Sequence, residues 1–136
     1  MASQNVFPEG ELLLRTSPMP SDTNANGDIF GGWIMSQMDI AGGMMAIDIT
    51  GGRAVTIAVD AIKFIKPVKT GDVVCCYGKA TKIGNSSVTI RLEVWAKRGL
   101  REMRITEENA FFMVTEASYT YVAIDHEGRK RLFPKI

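Results

Sequence analysis

Asp39 stands in the segment FGGWIMSQMDIAGGMMAIDI, among Trp33, Ile34, Met35, Met38, Ile40, Met44, Met45, Ile47 and Ile49. An ionised carboxylate in such apolar company is costly to enclose unless it is paired, hydrogen-bonded or put to use. Enclosed there, it would favour its neutral form, which suits a group that takes up a proton as a general base. The competing reading is a carboxylate that only holds strand or helix amides. Upstream, Gly31-Gly32 would present unhindered, polarised N–H groups at a helix start, donors of the kind that stabilise an oxyanion. Otherwise these glycines merely satisfy a turn. Asp28, just before them, reads first as a helix cap and second as a base or water-positioning group.

Other chemistries find little material. The single histidine, His126, lies in the polar stretch IDHEGRKR, which reads as a turn, so a mechanism that needs histidine is disfavoured. Cys75 and Cys76 are neighbours in a strand-like run and should point to opposite faces, which suits two free, buried thiols in a reducing compartment. No further cysteine or histidine cluster offers metal ligands, so no metal or other cofactor is expected.

The elements that must position these groups follow from periodicity. The only convincing helix runs from Phe30 to about Ile49, with Gly51-Gly52 as its stop. It is apolar on nearly every side, as a buried helix is, and Gly42-Gly43 inside it suggests another backbone passing close. Strands are expected at Glu11–Thr16, Arg53–Lys66, Asp72–Ile83, Ser86–Arg98 and Ala110–Asp125. In the fourth, Val88, Ile90, Leu92, Val94 and Ala96 form a dry face, and Thr89, Arg91, Glu93, Trp95 and Lys97 a wet one. In VTIAVDAIKFI the apolar parity slips after Ala61, which calls for a bulge or bend. Gly84-Asn85 is a hairpin signal, Pro67 to Gly71 marks another turn, and strands so joined should be antiparallel. Gly99 to Asn109 reads as a long exposed loop.

The fold class expected is therefore α+β, one helix lying in a curved antiparallel sheet, in a single domain over residues 1–136. One such layer leaves a sheet face and edges uncovered, which favours association between copies. With 16 basic and 15 acidic residues, net charge implies no nucleic-acid or membrane partner. No apolar run reaches bilayer-spanning length, and the polar start lacks a signal-peptide layout, so a cytosolic location is expected.

The stretch Asn24-Ala25-Asn26-Gly27-Asp28-Ile29-Phe30-Gly31-Gly32-Trp33, with Met35-Ser36-Gln37-Met38-Asp39, resembles the YciA-like bacterial acyl-CoA thioesterases, and more distantly the hotdog thioesterases of the phenylacetyl-CoA pathway. The likeness extends to Phe64-Ile65-Lys66-Pro67-Val68, Gly71-Asp72-Val73-Val74-Cys75-Cys76-Tyr77 and Glu93-Val94-Trp95, and departs at Arg101 to Asn109. The resemblance implies a hotdog fold, hydrolysis of fatty acyl-CoA, assembly as a trimer of dimers, and Asp39 as the catalytic carboxylate, acting on water or directly on the thioester carbon. Gly31 and Gly32 would then supply the oxyanion donors, with Asp28 the second carboxylate. Asn24, Thr56, Phe64, Lys66, Gly84, Ser86 and Ser87 are candidates for contact with CoA, which is substrate and product, not cofactor. Lys63, Arg91 and Asn85 are further candidates there, while Thr56 and Gln37 would position water.

Seven residues separate Gly32 from Asp39, about 10 Å along a helix, whereas donors and base must both lie about 3 Å from reacting atoms. An antiparallel dimer, with the glycines of one chain facing Asp39 of the other, resolves this. The rival reading is a non-catalytic acyl-CoA sensor of the same fold. A hotdog dehydratase is set aside for want of a suitable histidine.

Overall fold

The computed structural model describes residues 7–98 and 110–135; the expected loop from Gly99 to Asn109 and its departure from the family pattern lie outside the described residues. The elements are β1 (Glu11–Thr16), a 3-10 turn (Pro20–Asp22), α1 (Gly31–Thr50), β2 (Ala54–Phe64), β3 (Val73–Ile83), β4 (Ser87–Lys97) and β5 (Phe111–Ala123). They form one antiparallel sheet in the order β1-β3-β4-β5-β2, with α1 packed on it.

The strand order corrects one expectation. β2 and β3 are not partners: β2 pairs with β5 at the far edge, so Pro67 to Gly71 belongs to a crossover and not to a hairpin. The other turn shifts by a residue, since Gly84 N–H donates to the Ser87 carbonyl (2.8 Å) and Asn85-Ser86 becomes the two-residue tip.

α1 buries Ile34, Met38, Ala41, Gly42 and Ala46 against the sheet and stops at Gly51, whose left-handed backbone (φ 76°) lets its N–H reach the Ile47 carbonyl at 2.8 Å. A sheet covers only one side of a helix. Ile40, Met44 and Ile47 are therefore exposed in the single chain, contrary to an all-round buried helix. Val55, Ile57 and Val59 of β2 are exposed as well, on a strand whose outer edge pairs with no described strand. Gly42 is small for a reason other than a passing backbone: a Cβ there would run into the Tyr121 hydroxyl and meet a Leu92 methyl at 3.0 Å.

The parity slip in β2 is a pair of register shifts against β5, between Thr56 and Ala58 and between Asp60 and Lys63, with Ala61 at φ 55°. They keep Thr56, Val59 and Phe64 opposite Tyr121, Tyr119 and Thr115. In β4 the supposed wet face is dry at its centre. Glu93 and Trp95 are buried because the Trp95 indole donates to Glu93 Oε1 (2.9 Å) and stacks on Phe111 (5.0 Å), while Arg91 pairs with Glu93 Oε2 (3.2 Å). Cys75 and Cys76 are free and buried, and burial, with Cys75 beside it, pushes the Cys76 thiol up to about 12.

After β5, Asp125 accepts the N–H groups of Glu127 and Arg129 (2.9 Å each) in a turn that carries His126. The returning chain places Arg131 across three elements: Nε donates to the Ile124 carbonyl (2.9 Å), Nη1 to the last helical carbonyl, Thr50 (2.9 Å), and Nη2 to Thr50 Oγ1 (3.3 Å) and the Arg53 carbonyl (3.1 Å). Arg131→Ala should lower stability by about 2–3 kcal/mol, because several carbonyls lose a charged donor at once. Urea denaturation with an unchanged m-value is the check.

Candidate active site

Asp39 projects from the third turn of α1 and is exposed in the single chain, not enclosed. Two strands hold it. The Thr56 hydroxyl of β2 donates a hydrogen bond to Asp39 Oδ1. The Tyr121 hydroxyl of β5 lies 3.2 Å from the same oxygen and 2.9 Å from the Asp39 main-chain carbonyl. Tyr119, two residues earlier on the same strand face, donates to the Met35 carbonyl at 3.0 Å. Burial, and next the Asp39 charge, pushes Tyr119 up to about 12 and Tyr121 well above the usual tyrosine range. Both therefore remain neutral donors at physiological pH.

The tyrosines were not among the expected site residues. Their signal was present: positions 119 and 121 share one strand face, and Gly42 leaves a gap on the helix opposite. Gln37 is half-buried, and its side chain makes no hydrogen bond among the described residues.

A second group gathers at the start of α1. A cleft of about 390 Å³ is lined by Asn24, Asp28, Gly31, Phe64 and Lys66, among others, so five expected site residues share one depression. Its loop is held by Asn24, whose Oδ1 accepts the N–H groups of Asn26 (2.9 Å) and Asp28 (3.1 Å). Asp28 does not cap the helix. The cap position is Phe30, which offers no side-chain bond, and Asp28 instead pairs with Lys69 Nζ at 2.7 Å. Among the described residues no side chain caps the amides of Gly31 and Gly32, which leaves them to an outside acceptor. Phe64 lies against Gly31, where an added Cβ would meet its ring at 3.1 Å. Lys66 approaches the Phe112 ring at 5.3 Å.

The third group is remote from the second. Ser87 pairs with Val122, which pairs with Val55, whereas Phe64 pairs with Thr115. Seven residues of β5 separate these rungs, about 23 Å at strand rise. Gly84, Ser86 and Ser87 thus sit at the opposite end of the sheet from Lys66 and Asn24. Arg91 is matched by Glu93 and Glu116 (3.2 and 3.1 Å), which removes its charge from the cations expected to be available to a ligand.

One helix in a five-stranded antiparallel sheet, with a carboxylate on the helix and bare amides at its start, is the layout of a hotdog-fold thioesterase. The hexameric hotdog fold thioesterase of Campylobacter jejuni superposes with a TM-score of 0.81 at 39% identity, covering 92% of this chain and 91% of that one. Residues 26–102 match the model of the Thioesterase superfamily, and the chain belongs to that family. The acyl-CoA thioester hydrolase YciA of Escherichia coli (strain K12) is 48% identical over 134 residues, 98% of each chain. An acyl-CoA hydrolase of Staphylococcus aureus superposes with a TM-score of 0.77 at 25% identity, covering 90% of this chain and 69% of that one. Its structures include alanine variants at an asparagine and at an aspartate fifteen positions further on. The protein is accordingly an acyl-CoA thioester hydrolase.

Proposed function

We propose that the chain hydrolyses short- to long-chain acyl-CoA to free acid and CoA at sites completed between two copies. The observation that carries this reading is the division of the expected machinery: a hydroxyl-held, exposed Asp39 in one place and an uncapped Gly31-Gly32 start with its cleft in another. β2 runs from Ala54, beside the helix end, to Phe64, which touches Gly31 at the helix start. A second copy added antiparallel to its open edge reverses that direction. The Gly31 end of each copy then meets the Asp39 and Thr56 region of the other, with the Gly84–Ser87 turn on the same side. The apolar stripe of Ile40, Met44 and Ile47, together with exposed Val55, Ile57 and Val59, supplies surface for such a contact. Hexameric relatives support a trimer of these dimers.

In the step itself, Asp39 takes a proton from water as the water oxygen adds to the thioester carbon; alternatively its own oxygen adds, and water then cleaves the anhydride. The carbonyl oxygen becomes an oxyanion held by the Gly31 and Gly32 amides. The carbon–sulfur bond breaks and CoA leaves as thiolate, taking up a proton. Asn24 joins this group. Its Oδ1 is engaged by two backbone amides, so its Nδ2 amide is the half left to donate to the substrate carbonyl. Asn24 and Asp39 are fifteen residues apart, the spacing at which the Staphylococcus aureus hydrolase was altered. Asp28, paired with Lys69, holds the loop in this reading and does not act as base. Phe64 and Lys66 would receive CoA with Gly84, Ser86 and Ser87 of the opposite copy.

Free-thiol release from acetyl-, butyryl- and palmitoyl-CoA tests the reading, with turnover expected for the oligomer. Binding without turnover would instead make the protein an acyl-CoA sensor.

A further inference from the structure

Asp39 presents two carboxylate oxygens that differ. Oδ1 lies within reach of the Thr56 and Tyr121 hydroxyls, whereas Oδ2 accepts no hydrogen bond among the described residues. A side chain on the open face of a helix would otherwise sample several rotamers, carrying either oxygen to many positions. We infer that Tyr121 is a positioning residue for the thioesterase reaction, locking Asp39 through its hydroxyl so that Oδ2 is the oxygen that reacts.

The device has three parts. The Tyr121 ring is almost fully buried, at 1% exposure, and stacks on Tyr119 with centroids 6.4 Å apart, so it has little freedom of its own. Its hydroxyl reaches both the Asp39 main-chain carbonyl (2.9 Å) and Oδ1 (3.2 Å), fixing the side chain relative to the helix that bears it. Gly42, one turn further on, makes the room, since any β-carbon there would strike that hydroxyl. A helix-interior glycine costs about 1 kcal/mol relative to alanine, and the tyrosine hydroxyl accounts for it. Tyr119 supplies the internal control. It donates to a helix carbonyl from the same face at 3.0 Å but has no bond to the carboxylate.

The inference rests on the hydrolase reading above, and the test separates the two. Tyr121→Phe should lower kcat by about 10- to 100-fold with KM changed less than about twofold, the scale of a misplaced catalytic group. Tyr119→Phe, which loses a comparable buried hydrogen bond, should keep kcat within about twofold. Gly42→Ala should reproduce the kcat loss in the native background and add less to it in the Tyr121→Phe background, where the hydroxyl is gone while the ring edge (3.1 Å) and the Leu92 methyl (3.0 Å) still meet the new methyl group. A readout that needs no turnover is the Asp39 side-chain carboxyl resonance in carbon-13-labelled protein, assigned with Asp39→Asn. It should move in Tyr121→Phe and stay in place in Tyr119→Phe. Equal behaviour of the two phenylalanine variants, in kcat or in that resonance, would overturn the inference. A wild type that cleaves no acyl-CoA would sink the hydrolase reading instead, and the resonance would still decide whether Tyr121 holds the carboxylate.

Discussion

Asp39→Asn should abolish thioester hydrolysis, with kcat down by about 10³-fold or more, while the protein keeps its fold, its oligomer size and its affinity for substrate. The isosteric amide can still accept the Thr56 and Tyr121 hydroxyls through Oδ1, so the helix-to-sheet contacts survive. What disappears is the ability of the other oxygen to take a proton or attack carbon. Because the side chain is exposed in the single chain, the change leaves no buried group without a partner, and Tm should move by only a few degrees. An Asn variant with near-native kcat would transfer the base role elsewhere, first to Asp28. Retained binding with lost turnover would fix Asp39 in the chemical step.

How legible this was depended on the range of the interactions involved. The helix, its Gly51 stop and the strands could be read because each is written in local periodicity: Val88 to Ala96 alternates, and the parity slip near Ala61 corresponds to a real change of register. The pairing of β2 with β5 was not legible. Nothing between Pro67 and Gly71 tells a hairpin from a crossover; that choice is settled by which face each strand can bury. Glu93 and Trp95 look wet in a strand pattern and are dry because they satisfy one another with Arg91 and Phe111. Asp28 sat in the right neighbourhood for a cap, yet the helix starts two residues beyond the place where its side chain could reach, and Lys69 takes it instead. Asp39 drew notice for its apolar surroundings, but the partners that give it an orientation lie 17 and 82 residues away along the chain. Such contacts leave only faint traces in sequence, here a glycine in a helix and two tyrosines on one strand face.

The sharing of sites between copies makes a numerical prediction. Asp39→Ala removes the carboxylate and Gly32→Pro removes one amide donor, and each alone should leave the homo-oligomer nearly inactive. Proline is tolerated in a first helical turn, where the missing N–H costs the helix no internal bond, and Gly32 is exposed, with the Phe30 ring the one near neighbour of an added Cβ among the described residues. If each site takes Asp39 from one copy and Gly32 from the other, a randomly mixed equal population gives each site a one-half chance of an intact carboxylate and a one-half chance of an intact donor. About a quarter of wild-type activity should then return in the unfractionated mixture or in mixed hexamers, and about half in isolated mixed dimers, where one site of two is intact. If a single chain supplied both groups, every site would carry one lesion or the other and mixing would restore nothing. Co-refolding two differently tagged variants, isolating the doubly tagged oligomers and measuring thiol release tells these apart, and mixed oligomers that stay inactive would overturn the shared-site arrangement while leaving the Asp39 chemistry intact.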